Sequence, residues 1–330
     1  MRKLWVAECA AGSGAFTWKS LMQLRYEDDF LEGAVFVCTS AIAAKEGLRP
    51  PALQIQRFHR AREKCYQVLD PDERNAAFFR LHLEWFREWG LENLLLGLVN
   101  EFPLLPGRLN TLVFRKARSK SDEGAELYVN DEAHCSGIVA LQVERFQKAD
   151  QLKRFLRHEF THLHDMLNPE FRYSPQLHLA SRNVAQQRLT RERYRLLWDI
   201  TIDGRLERTN ESPATRHGHR DAFDRAFGFW PEAKRQEVFK SLWENAQPRH
   251  NELLAHACDS RHAQSGCNRG PGAPCPLCGF TTFSWAKGEH LCEQTVRAIC
   301  RDFPDWNPAY GACRRCADIY RRGVTQLLAI

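Results

Sequence analysis

The stretch His158-Glu159-Phe160-Thr161-His162 commits its part of the chain to one conformation, because an HExxH element can bring both of its histidines to one ion only from an α-helix. At about 100° per residue the two histidines stand roughly 40° apart on one helix face, and Glu159 projects beside them where a water would be activated. The neighbouring residues supply the helix. Leu152, Phe155, Leu156, Phe160, Leu163, Met166 and Leu167 recur as a separate apolar stripe that anchors it in a core. The pattern predicts a zinc-hydrolase site in which His158 and His162 are ligands and Glu159 is the general base.

The chain around this helix is organised in blocks. Residues 1–105 read as a helical region: Arg57 to Leu69 and Asn75 to Val99 carry i, i+3, i+4 apolar spacing, and Pro50, Pro51, Pro71, Pro103 and Pro106 punctuate them. The period then drops to two. Thr111 to Arg115, Ala125 to Val129 and Ile138 to Phe146 read as strands, and the last leads into the HExxH helix with Asp150 as its cap. Strands feeding an HExxH helix give the layout of a zincin domain, so residues 106–250 are expected to be an α+β, zincin-like core with a mixed sheet. In that layout an edge strand takes up an extended peptide, which makes Ala125 to Val129 and the loop Asn130 to Gly137 candidate substrate contacts. A helix is expected from Leu179 to Arg208, a loop over Glu207 to Arg220, and helix again over Ala222 to Asn245. Residues 251–274, with Gly, Pro and Ser crowding their second half, read as a linker, and residues 275–330 as a small metal-dependent module.

Two histidines leave a catalytic zinc one protein ligand short, since such sites take three and keep a position open. Asp165 and Asn168 stand where an HExxHxxGxxH pattern would need Gly and His, which argues against that arrangement. Asp199 and Asp203, four residues apart, share one helix face, with Leu196, Leu197, Ile200 and Leu206 available for the core; carboxylates on a semi-apolar helix are what a divalent cation stabilises. Trp198-Asp199-Ile200-Thr201-Ile202-Asp203 resembles the second motif, Trp-Asn-x-Ala-x-Asp, of a family of bacterial zincin-like metallopeptidases, and that resemblance implies Asp203 as the third ligand. A likeness to gluzincins implies Asp199 as ligand with Asp203 holding a zinc histidine. A likeness to SprT-like proteases implies His178. His164 points about 200° away from His162 and reads as a surface or hydrogen-bonded group, whereas Asp165 shares the metal face. Tyr173, His178 and Tyr194 are the candidates for stabilising an oxyanion.

Eight of the 12 cysteines fall after residue 257, and four of those make two CxxC pairs. Cys275 and Cys278 with Cys313 and Cys316 present two sulfurs from each of two tight turns, the donor set of one structural zinc. The long interval between the pairs predicts an inserted helix over Glu289 to Cys300. Cys292 and Cys300 are expected to be thiols on that helix. One catalytic and one structural Zn2+ are therefore expected per chain.

HExxH, a downstream carboxylate helix and a terminal zinc ribbon together resemble the same zincin-like family and share their two-part design with SprT-like proteases, over roughly residues 110–210 and 270–330. The resemblance implies peptide hydrolysis, and from the SprT-like group it implies nucleic acid as a partner of the ribbon. A net charge of +6 is concentrated around Arg182, Arg188, Arg191, Arg193, Arg195, Arg205 and Arg208, which read as a solvated helix face or a polyanion-binding one. The amino end shows no secretory pattern and no segment is apolar enough to span a bilayer, so no membrane partner and a cytoplasmic location are expected. Gly12-Ser13-Gly14 lacks the Lys-Ser/Thr of a phosphate loop and reads as a turn. The competing reading is a non-catalytic zinc-binding adaptor that binds nucleic acid or a protein.

Overall fold

The computed structural model describes residues 22–40, 50–129, 135–175, 184–209, 215–228, 230–259, 272–286, 291–304 and 306–327. They form an α+β protein divided into two units, Met1–Tyr173 with Leu206–Pro213, and Ser174–Arg205 with Ala214–Ile330.

In the first unit, strand β1 (Gln23–Tyr26) runs into helix α1 (Asp28–Cys38), followed by α2 (Ala52–Cys65), α3 (Pro71–Glu88), α4 (Leu91–Asn100) and α5 (Leu104–Arg108). Local signals set these boundaries. The Asp70 side chain accepts from the Glu73 N–H at 2.8 Å and Pro71 takes the first helical position, while Gly90 at φ 72° makes the left-handed turn into α4. Strands β2 (Thr111–Lys116), β3 (Gly124–Val129) and β4 (Cys135–Leu141) complete a four-stranded sheet of order β1-β2-β4-β3. β1, β2 and β4 are parallel, and β3 lies antiparallel to β4 at the edge, with Ala125 opposite Val139 and Leu127 opposite Gly137.

Two readings change here, the end of the third expected strand and the cap of the HExxH helix. The strand expected over Ile138 to Phe146 ends at Leu141, and Val143–Gln147 is a 3-10 turn that packs on α1. The helices that precede β2 share a core with the sheet: Tyr26, Phe30 and Phe86 cluster with Phe114 of β2 and with Phe146, at centroid separations of 5.2–6.1 Å, in one core with α6 (Ala149–Leu167). Aromatic stripes of the helices need a partner surface, and the sheet face provides it. Asp150 lies inside the first turn of α6 rather than at its cap, where its charge favours the positive helix end.

The second unit begins with α7 (Val184–Glu207), whose last two residues belong to the first unit. Then come α8 (Arg216–Ala226), α9 (Glu232–Glu244) and α10 (His250–Cys258). The loop expected over Glu207 to Arg220 is thus helical from Arg216, with Thr215 capping by accepting from Gly218 N–H at 3.2 Å; the predicted linker from 251 is helical as far as Cys258, and residues 260–271 lie outside the described residues. Phe223, Phe227, Trp230, Phe239 and Trp243 pack with centroids 4.5–6.0 Å apart. Gly204 lets the α7 backbone lie directly against α9: a Cβ there would collide with the Trp243 carbonyl. Beyond residue 271, a two-stranded hairpin of β5 (Ala273–Pro274) and β6 (Thr281–Thr282) precedes α11 (Glu293–Asp302) and α12 (Arg314–Leu327), which pack on each other. The helix expected between the CxxC pairs is α11. The module has its own core of Leu277, Ile299, Phe303, Trp306 and Ala312 around the cysteines.

Candidate metal centres

Helix α6 is fixed before its histidines are considered. Leu152, Leu156, Phe160 and Leu163 are buried, and the helix packs on β3, α4 and α5. Arg108 donates to the Leu167 carbonyl at 3.1 Å at the helix end, and Arg157 pairs with Glu101 at 2.7 Å one residue before the motif. On this frame the rings of His158 and His162 lie 5.0 Å apart, with Glu159 buried beside them. His164 faces the other way, edge-on to Phe102 at 6.3 Å, as its angle predicts. Asp165, on the metal face, is buried.

His158, His162 and Asp199 form a group whose ligand atoms all lie within 4.8 Å of one another, close enough to hold one metal ion. Asp203 is not in it. Its carboxylate instead meets His219 of α8, Oδ2 to Nε2 at 2.5 Å. Asp199 and Asp203 sit on the same face of α7 one turn apart, so spacing cannot separate them; the histidine from α8 does. His178, the third alternative, lies outside the described residues. Of the oxyanion candidates, the Tyr194 hydroxyl is engaged by His250 Nδ1 at 2.8 Å in a buried pair, and burial raises the Tyr173 phenol above its ordinary pKa.

The second group is Cys275, Cys278, Cys313 and Cys316, with all four sulfurs within 4.8 Å. The first pair is shaped by the hairpin: Gly279 N–H donates to the Cys275 carbonyl, and Gly279 adopts φ 78°, the left-handed conformation that closes the knuckle. The second pair opens α12, where Cys313 also bridges to Trp285. Backbone N–H groups point at sulfur, from Cys313 to Cys275 Sγ at 3.2 Å and from Cys316 to Cys313 Sγ at 3.4 Å. Hydrogen bonds from Cys278 and Cys316 hold the Cys275 thiol below its ordinary pKa, whereas Cys278 is pushed up to about 11 and Cys316 is raised, first of all by their bonds to neighbouring sulfur. Four sulfurs this close cannot ionise together unless a cation compensates them, so the donor set fits a metal ion. Cys292 is exposed at the start of α11, and Cys300 contacts the Trp306 carbonyl.

The arginine-rich stretch is not one solvated face. Arg188, Arg191, Arg195 and Arg208 are exposed, but Arg193 is buried with its guanidinium 5.3 Å from the Phe227 ring centre, and Arg182 lies outside the described residues. Among the described residues no helix is long and apolar enough to cross a membrane. No family model matches the chain, and neither a curated protein nor a solved structure resembles it closely enough to match.

Proposed function

We propose that the protein is a zinc metallopeptidase of zincin-like architecture, with its active site at His158, His162 and Asp199 and a structural zinc at Cys275, Cys278, Cys313 and Cys316. The observation that carries the reading is the convergence of two imidazoles and one carboxylate within 4.8 Å, with a buried glutamate between the histidines in the sequence of the same helix. Three neutral or anionic donors of this kind suit zinc and leave a coordination position for a reactant, unlike four thiolates, which close it. Zinc held there would polarise a scissile carbonyl and bring the pKa of a water towards about 7. Glu159 accepts the proton of that water as its oxygen adds to the carbonyl carbon, then delivers it to the departing amine nitrogen as the C–N bond breaks. The edge strand β3, antiparallel to its neighbour and bearing exposed Glu126, Tyr128 and Val129, offers backbone groups to an extended peptide.

Glu159→Gln keeps the helix and the three donors but removes the base. The expected result is about two zinc ions per chain in parent and variant, with cleavage of a peptide library lost in the variant. A variant that cleaves like the parent refutes the assignment.

A second reading, a zinc-binding adaptor for nucleic acid, draws on the ribbon. Phe280 and Phe283 are 73% and 80% exposed near the hairpin, and Arg314 and Arg315, exposed at the start of α12, have no acidic partner among the described residues; the Arg314 N–H bonds the carbonyl of Ser284, next to Phe283. Aromatics beside unpaired arginines suit stacked bases and phosphate. Binding that weakens steeply with salt, in a protein that hydrolyses no peptide, would favour this reading over the first.

A further inference from the structure

We infer that Glu126 of the edge strand β3 selects the peptide, by pairing with a lysine or arginine side chain of a substrate laid against that strand; the inference rests on the peptidase reading above. The register of the sheet puts Glu126 in a row with Ile138 of β4 and Val113 of β2, and Tyr128 in the next row with Ser136 and Thr111. Both rows lie on the sheet face turned away from the buried Leu112, Phe114 and Val139. Tyr128 is 53% exposed and its hydroxyl donates to Glu126 Oε2 at 2.6 Å, so the exposed carboxylate is held in one orientation. Its other oxygen, Oε1, has no hydrogen-bond partner among the described residues. The edge also stands at the level of the metal histidines. Leu163, which follows His162, reaches the inner face of the sheet 3.4 Å from where a Cβ of Gly137 would stand, and Gly137 pairs with Leu127, the residue between Glu126 and Tyr128. A peptide that extends the sheet at Glu126 therefore passes the HExxH turn of α6.

The charge of Glu126 is not cancelled by its surroundings. Arg115, two strands away on the same face, has both terminal nitrogens taken by Asp122, at 3.1 and 3.0 Å. The bonds from Asp122 first of all, and also the charges of Glu126 and Glu27, hold this guanidinium above its ordinary pKa, so one cation serves three carboxylates. Arg118 and Lys120, in the turn before β3, act on Asp122 and Glu123. Arg25 shares the row of Glu126 but stands at the far edge, three strands or about 14 Å away, beyond the reach of an exposed charge at physiological salt. An added strand places every second side chain on the face of Glu126, with its Cβ about 5 Å from that of the residue opposite. A lysine or arginine there meets the free Oε1, whereas a glutamate or aspartate meets like charge. A slip of one residue turns the basic side chain to the other face, on the side of Leu127, so the pairing also sets the register. The peptides cut should then share a basic residue at one fixed distance from the broken bond.

The test uses the zinc-loaded full chain and internally quenched peptides built on one library substrate, with Lys, Ala or Glu placed at each position in turn. At one position Lys is expected to be preferred over Glu about tenfold in kcat/KM, with the difference carried by KM, and about 0.5 M salt should shrink the contrast. Glu126→Lys is expected to reverse the order at that position, and Glu126→Gln to bring the ratio to about one, with both zinc ions retained in each. Tyr128→Phe, which leaves the carboxylate unheld, is expected to reduce the preference about threefold. An active parent that cuts Lys and Glu peptides alike at every position, or whose preference for Lys survives in Glu126→Lys, overturns this inference alone. Should Glu126→Lys not fold, an unchanged ratio in Glu126→Gln overturns it equally. A zinc-loaded parent that cuts no peptide overturns it together with the peptidase reading.

Discussion

The two candidate metal centres are built on opposite plans. The cysteine centre draws all four donors from two tight turns within 42 residues, points backbone N–H groups at its sulfurs, and sits among its own small core. The histidine–aspartate centre draws two donors from one turn of α6 and the third from α7, with His158 and Asp199 only partly buried and an acidic residue alongside. The difference teaches what each can do. A closed shell of sulfur organises a module too small to fold on apolar burial alone, whereas a three-donor set on long helices that are anchored independently can leave a position open.

The largest effect should come from breaking the closed centre. Cys275→Ser, or Cys313→Ser, is expected to remove one zinc and unfold the ribbon, since a structural zinc contributes on the order of 10 kcal/mol to such a module. Limited proteolysis should then cut within residues 272–327 while residues 50–175 stay protected. If instead the whole chain unfolds, the cysteine centre stabilises more than its own module and the contrast drawn here fails.

The next test separates two carboxylates one turn apart. Asp199→Ala should weaken zinc at the histidine centre about a thousandfold, while Asp203→Ala should weaken it no more than about the 10 to 100-fold typical of groups that act through a ligand's surroundings. Competition with a chromogenic chelator reads both, with the cysteine centre as the internal standard. Equal losses would mean that the third donor has been misassigned.

This distinction also marks where the sequence stops being informative. HExxH and its apolar stripe dictate α6 because helix periodicity and ligand spacing are both local, and the two CxxC pairs are legible for the same reason. β2 and β3 follow from alternation over six residues, but β1 is four residues long, too short for a pattern to register. Asp199 and Asp203 are indistinguishable by spacing, and what separates them is His219, on a helix whose start, Arg216, falls within a polar stretch holding Pro213 and Gly218 that reads as loop. Gly204 is a weaker clue that was available: glycine inside a helix is unfavourable by about 1 kcal/mol relative to alanine, so its presence beside Asp203 marks a close backbone approach.

That approach gives a smaller, sharper prediction. Gly204→Ala should destabilise the second unit by about 3 kcal/mol, because the added methyl meets the Trp243 backbone rather than a side chain that can swing away. It should also loosen zinc at the histidine centre through displacement of α7, and leave the cysteine centre untouched. Thermal unfolding with zinc titration would measure both, and a ribbon that loses zinc in this variant would show that the two centres are not independent.

The smallest effect expected at neutral pH concerns the core of the first unit, away from either set of donors. His82 of α3 is buried between Phe36, Phe58 and Phe78, its Nε2 has no hydrogen-bond partner, and burial, helped by Arg62, lowers its pKa to about 4. Because the folded value lies below the unfolded value near 6.5, the unfolded chain takes up the proton first as pH falls. Stability is then unaffected above pH 6.5 and declines between pH 6.5 and 4, by about 3 kcal/mol in total. His82→Phe should change stability at pH 7.5 by less than about 1 kcal/mol, since it exchanges one ring for another of similar volume and removes the unpaired nitrogen. The acid limb should flatten in the same variant. Urea unfolding of the zinc-free chain across this range isolates the effect from proton-driven loss of metal, and an unchanged slope in His82→Phe would assign the acid sensitivity to other groups.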